Sequence, residues 1–282
     1  MGRWDIYRQI QAMDPRRDHQ RVMHLVAGWE FPWDIARALE VALHRTFCVP
    51  SISSVLDRMG EFAHRAQRRY DDTGLLLTEI IEHGYESDRG AAAIARMNRI
   101  HARFEIANED YLYVLSTFHF EPVRWIDRFG WRRMSPIEVE SSFLLWREIG
   151  RRMGIRDLPK SHDAFAAFVA EYERTRFAYT DANRRLGENA RELLASWFPR
   201  VLRPLVRRSV HAVFDAPVLA AMGYPRPSAF ERDVVEGLLA ARARIVRFLP
   251  ARRRPKFITH GPVRSYPQGY EIPRLGPPGM GE

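Results

Sequence analysis

A single cysteine, Cys48, stands in 282 residues. One thiol rules out a disulfide within the chain and any zinc centre built on several thiolates. It fits a reducing compartment, so a cytoplasmic location is the expectation. Long apolar runs are also scarce. No window approaches the roughly 18 uncharged apolar residues of a membrane-crossing helix. The best stretch, Val213 to Met222, is short and carries Asp215 and Pro217. Met1 to Arg21 is charged throughout and holds no signal-peptide core. Lysine is nearly missing: of 44 basic residues only Lys160 and Lys256 are lysines. Such a skew reflects genome-wide base composition, so no nucleic-acid partner is expected. No GxGxxG, P-loop, HExxH or GxSxG string occurs, which removes the common dinucleotide, phosphate, zinc-peptidase and serine-hydrolase sites.

What is present is apolar and helical. Hydrophobic residues make up 46% of the chain and aromatics 12%, enough for a substantial core. Trp33, Ile35, Ala36, Leu39, Ala42 and Leu43 follow Pro32 at helical spacing and stop before Pro50. Ile52 to Ala66 carries a four-turn stripe. After a polar cluster, Leu75 to His83 reads as a short helix closed by Gly84. Asp88 can cap a helix running to about Ile106, and Asn108 can cap the next. Ser135-Pro136-Ile137-Glu138 and Ser228 with Glu231 are capping boxes. Further helices are marked by Phe165 to Tyr172 and Leu186 to Trp197. No alternating strand pattern or fixed-period repeat appears. The sequence therefore predicts an all-α fold of about ten helices in one domain, residues 1–250. Residues 251–282 hold six prolines, five glycines and +4 of the net +9 charge. They form an irregular C-terminal extension that wraps the body or stays mobile. Its charge suits a membrane surface or an acidic partner.

Among ten histidines, His101 is set apart by its neighbours. Met97 lies one turn before it and Phe104 three residues after, all on one apolar face. A core histidine with one hydrogen bond is the plainer account. An axial ligand, offering a neutral ring nitrogen to haem iron between apolar neighbours, is the second. Arg68 to Gly74 is the densest polar cluster of the body. It is a solvated interhelical loop, or else a loop that sets a cation, a carboxylate and a hydroxyl above a cofactor. Phe104 to Trp146 holds ten aromatics in 43 residues, a well-filled core or the lining of an apolar pocket. A carboxylate-iron centre is the rival chemistry. Glu61 and His64 form the only Glu-x-x-His pair, with Asp71, Asp72, Glu79, Glu82 and His83 as further candidates.

Four strings, in this order and spacing, resemble the MpaB-type oxygenases, whose catalytic domain is shared with rubber oxygenase. They are Phe31-Pro32-Trp33-Asp34, Arg69-Tyr70-Asp71-Asp72-Thr73, Met97-Asn98-Arg99-Ile100-His101 and Asn108-Glu109-Asp110-Tyr111-Leu112-Tyr113. The likeness spans roughly residues 14–200 and includes Glu138 and Ile149 to Ile155. It implies an all-α domain enclosing haem b, with His101 as the iron ligand. It also implies dioxygen as oxidant and oxidative cleavage of C=C bonds in a hydrophobic, isoprenoid substrate. Met97 and Phe104 would pack the haem, and Arg69, Asp72 and Thr73 would act on the distal side. The family's distal lysine is Asp72 here, and its arginine one turn after the axial histidine is Glu105. The fungal members are membrane-anchored, and this chain shows no anchor, so peripheral membrane contact is the most expected of it. A haem carrier or sensor without turnover, and a cofactor-free helical interaction protein, are the alternatives. Oligomeric state is not legible.

Overall fold

Proline and glycine punctuate the chain into helices, and a computed structural model, which describes residues 2–279, places them. Helix α1 spans Asp5–Gln11 and α2 Pro15–Leu25, the second opened by Asp14, whose side chain accepts from the Arg16 N–H. A π-helical turn, Val26–Glu30, leads into α3, Pro32–Phe47. The expected stripe from Ile52 to Ala66 is two helices, α4 (Pro50–Met59) and α5 (Glu61–His64), because Gly60 turns left-handed at φ 67°. Helix α6 covers Ala66–His83 and α7 Asp88–His101. Here Ser87, not Asp88, supplies the cap, its hydroxyl accepting from the Gly90 N–H. Helix α8 is Asn108–Phe129 and α9 Pro136–Arg152, which Ser135 and Glu138 open with the expected capping box. Asn108 is the first helical residue rather than a cap, and its amide bonds the backbone of Arg156 instead. Then come α10 (His162–Arg176), α11 (Asp181–Ser196), α12 (Arg203–Ala212), α13 (Ala216–Ala221) and α14 (Ala229–Phe248).

The fold is all-α, with fourteen α-helices among the described residues where about ten were expected. The excess comes from breaks at glycine and proline and from the short pieces α1, α5 and α13. Helix α3 lies along α8, α2 along α9, and α6 against α7. One large apolar core joins these pairs. A second gathers Phe47, Phe62, Leu186, Phe214 and Met222 under α11 and α13.

Arg68 to Gly74 departs from expectation: it is the interior of α6, not a loop. Nothing in it ends a helix, and its polar side chains pair one turn apart. Gln67 donates to Asp71 at 2.9 Å, and Arg69 to the Thr73 hydroxyl.

The extension wraps the body. The Lys256 N–H donates to the Gly28 carbonyl at 2.8 Å, and a Cβ on Gly28 would sit 2.5 Å from the Phe257 ring. The Ser265 N–H bonds Asp71 at 3.0 Å, and the hydroxyls of Tyr266 and Tyr270 donate to Asp72 and Glu79. Arg96 donates to the Leu275 carbonyl at 2.7 Å. One face of α6 therefore holds the extension down through its carboxylates.

Buried charge ties the helices together. Arg45 of α3 bonds Glu173 of α10 at 2.8 and 3.0 Å and Asp215, which precedes α13, at 2.7 Å. Glu121 of α8 lies 3.3 Å away. Burial would favour loss of the guanidinium proton, but the three carboxylates outweigh it and hold the pKa far above its ordinary value. Removing one side of such a cluster strands the other in low dielectric. Arg45→Ala should cost about 3–5 kcal/mol in urea unfolding, and a loss under about 1 kcal/mol would contradict the cluster's role. The buried histidines set an acid limit. Burial lowers His44 to about 4 and His119 to about 3, from 6.5. The unfolded chain thus binds protons that the folded chain refuses. The histidines' contribution should be full above pH ~6.5 and be lost as the pH drops toward ~4. Urea midpoints across that range check this, and His44→Leu should flatten the slope.

Candidate active site

All six residues singled out in the sequence line one cavity of about 530 Å³: Arg69, Asp72, Thr73, Met97, His101 and Phe104. That volume suits an enclosed small-molecule site. Its walls are mostly apolar. Leu39 and Leu43 come from α3, Val55 and Met59 from α4, Tyr111, Leu115 and Phe118 from α8, and Trp146 and Ile149 from α9. Phe118 stacks on Trp146 with ring centroids 4.9 Å apart, so part of the aromatic-rich middle does line a pocket.

His101 is the last residue of α7. The helix ends there rather than near Ile106. The Phe104 N–H still closes a 3.0 Å bond to the His101 carbonyl, which keeps Phe104 on the cavity side. Tyr111 meets the imidazole edge-on at 5.5 Å. The Nδ1 of His101 is buried with no hydrogen-bond partner. Burial, reinforced by the Arg69 charge, lowers the ring to about 4. The imidazole is therefore neutral at physiological pH, and it lacks the hydrogen bond expected of a structural core histidine.

Helix α6 brings Arg69 and, one turn on, the adjacent Asp72 and Thr73 to the same cavity. Arg69 is half-buried, and burial lowers its pKa against the pull of Asp72 and Glu61. It donates to Thr73, whose hydroxyl returns a 3.1 Å bond to the Arg69 carbonyl. Among the described residues Arg69 forms no ion pair, so its charge faces the cavity. Burial raises the Asp72 carboxyl, opposed by the Tyr266 hydroxyl and the Gly276 backbone. Gly276 and Pro277 of the extension complete the wall.

Two groups escaped the sequence reading. Tyr70 lines the cavity and donates to Glu40 at 3.0 Å. Burial, opposed by Arg37 and Tyr70, pushes Glu40 up to about 7. Glu40 also pairs with Arg37 one turn before it, which reads as an ordinary surface helix pair; the tyrosine that ties it to the cavity wall lies 30 residues away. The contribution of the extension was equally hidden.

The carboxylate-iron alternative finds its ligands otherwise engaged. Glu61 pairs with Arg65, and Asp71 and Asp72 bond the extension. Glu79 takes Arg89 and Tyr270, and Glu82 takes Thr259 and His260. No group of three or more metal-binding side chains occurs among the described residues.

The known proteins that resemble this chain agree with one another. Residues 21–248 match the family described as ER-bound oxygenase mpaB/B'/Rubber oxygenase, catalytic domain. ER-bound oxygenase mpaB' of Penicillium brevicompactum is 29% identical over 242 residues, 79% of this chain. The chain spans only 57% of that relative's length. ER-bound oxygenase mpaB of Penicillium roqueforti is 30% identical over 217 residues, 70% of this chain and 72% of the relative. The fold is similar to that of latex clearing protein LCP in its closed state, with a TM-score of 0.56 at 15% identity, covering 88% of this chain and 73% of that one. With about four-fifths of its length matched and its cavity lined by residues of the strings that carry the likeness, this chain belongs to the mpaB and rubber oxygenase catalytic-domain family of oxygenases.

Proposed function

We propose that the chain is a haem b-dependent oxygenase that uses dioxygen to cleave C=C bonds of a hydrophobic, isoprenoid substrate. One observation carries the cofactor reading: the neutral imidazole of His101 on the wall of an apolar cavity, its Nδ1 buried with no hydrogen-bond partner. The donor set fits the group. Neutral imidazole is the form that binds haem iron, and an unpaired guanidinium suits a carboxylate such as a haem propionate. Haem iron bound there would supply the activation of dioxygen, which protein side chains cannot provide.

The chain's own residues would do the remainder. His101 would hold the iron, and Met97 and Phe104 would pack the macrocycle. Arg69 would orient the oxidant or pair with a propionate. Thr73 would hydrogen-bond oxygen by turning its hydroxyl from the Arg69 carbonyl. Asp72, raised by burial, would hold a proton and release it toward the cavity, with Tyr266 bonding the carboxylate that remains. The aromatic and aliphatic walls would align the chain of the substrate and exclude water. The Penicillium relatives are named ER-bound, and a membrane is where long isoprenoid chains reside.

Protein made with a haem precursor should show a Soret band and stoichiometric haem b by pyridine haemochrome, with oxygen uptake on terpenoid alkenes. His101→Ala should lose the haem. Full occupancy and an unchanged spectrum in that variant would overturn the ligand assignment, and haem without oxygen uptake would leave a carrier or sensor. Tyr266→Phe removes a donor to the ionised form of Asp72, so the Asp72 pKa should rise. The alkaline limb of the rate profile, where Asp72 loses its proton, should move to higher pH, while haem content stays constant. An unshifted limb would remove Asp72 from proton handling.

A further inference from the structure

Helix α14 buries none of its residues. Its inner side is fastened by Arg242, which bonds Asp34 at 2.7 Å, and by Leu239 and Val246 against the main core. Its outer side is apolar. Phe230, Leu238, Ile245 and Phe248 are 76%, 67%, 61% and 85% exposed, and Val234, Gly237 and Ala241 share their face at helical spacing. Helix α12 packs beside it, joined by the 2.7 Å Arg208–Glu231 ion pair, and adds exposed Leu205. A stripe of large apolar side chains in water, several turns long, marks a binding surface rather than a solvated face.

The charge around the stripe selects the occupant. Between Phe198 and Arg254 stand twelve arginines and four carboxylates, so this stretch holds +8 of the chain's +9. Arg208 and Arg242 are engaged by Glu231 and Asp34. Arg244, Arg247 and the Arg252–Arg254 run form no ion pair among the described residues. A second copy of the chain would bring two such arginine flanks together across a symmetric interface. Anionic headgroups complement them. A helix with an apolar face and arginine flanks is the form that lies in the headgroup layer of a bilayer. No helix among the described residues is long and apolar enough to cross one.

We propose that the outer face of α12 and α14 docks on an anionic lipid bilayer, the apolar stripe entering the acyl boundary and the arginines binding headgroups. Asp34, which anchors α14, directly precedes Ile35 of the cavity wall, so a docked bilayer lies against the element that encloses the site. The inference does not depend on the cofactor.

Co-sedimentation with vesicles tests it. The wild-type protein should bind phosphatidylcholine–phosphatidylserine vesicles, bind phosphatidylcholine alone far more weakly, and release at high salt. The triple variant Phe230→Ser, Leu238→Ser, Phe248→Ser should lose about a hundredfold in binding. Arg244→Gln with Arg247→Gln should lose about twenty-fivefold, near fivefold per arginine. All five positions are exposed, and far-UV circular dichroism should match the wild type in both variants. No binding to serine-lipid vesicles, or equal binding by the triple variant, overturns the proposal. So does a wild-type dimer in light scattering that the triple variant converts to monomer, which gives the face to a second copy.

Discussion

The guanidinium of Arg45 is the tie on which the rest of the architecture depends. It is buried where helices α3, α8 and α10 and the start of α13 converge, and each brings it a carboxylate. A cation in such a place is costly unless its partners are fixed, so their positions are fixed with it. Helices α3 and α8 are two of the cavity walls, and both extend from this point. Tyr113 adds a hydrogen bond to Glu173 at 3.0 Å, which sets the register of α8 against α10. A cluster of this kind contributes definition of geometry more than net stability. Definition is what an enclosed site of fixed shape needs.

The second constraint runs along α6. Four carboxylates on it, Asp71, Asp72, Glu79 and Glu82, are used by the C-terminal extension. Arg69 and Thr73, on the same helix, line the cavity. One helix therefore supplies the polar wall of the site and the seat of the segment that covers it. This coupling explains why Asp72 sits at both: its carboxylate touches the cavity and accepts from Tyr266. Any change in how the extension packs reaches the polar wall directly.

Much of the fold was legible because its signals are local. The capping boxes at Ser135 and Ser228, the glycines after His83 and Met153, and the prolines at the starts of α2, α3 and α9 act within one turn of themselves. The grouping of Met97, His101 and Phe104 was legible for the same reason, since their spacing aligns them whether or not the helix extends to Ile106. The polar cluster misled. A run of charges near two aspartates reads as a loop when its partners are unknown, and those partners, Ser265 and Tyr266, lie 194 residues away. The break at Gly60 was hidden by an unbroken apolar stripe on both sides of it.

The sequence by itself determined that the chain is all-helical, that His101 sits among apolar neighbours, and that no helix among the described residues is long and apolar enough to cross a membrane. Periodicity, caps and hydropathy are properties of contiguous residues. Only the tertiary structure decided that α6 is one helix, that the extension closes over it, and that Glu40 is bonded to a tyrosine of the cavity wall. It also decided which face of α14 stays outside. Each of these depends on which distant partner satisfies a buried carboxylate or covers an apolar stripe, and such partnerships exist only once the helices have packed.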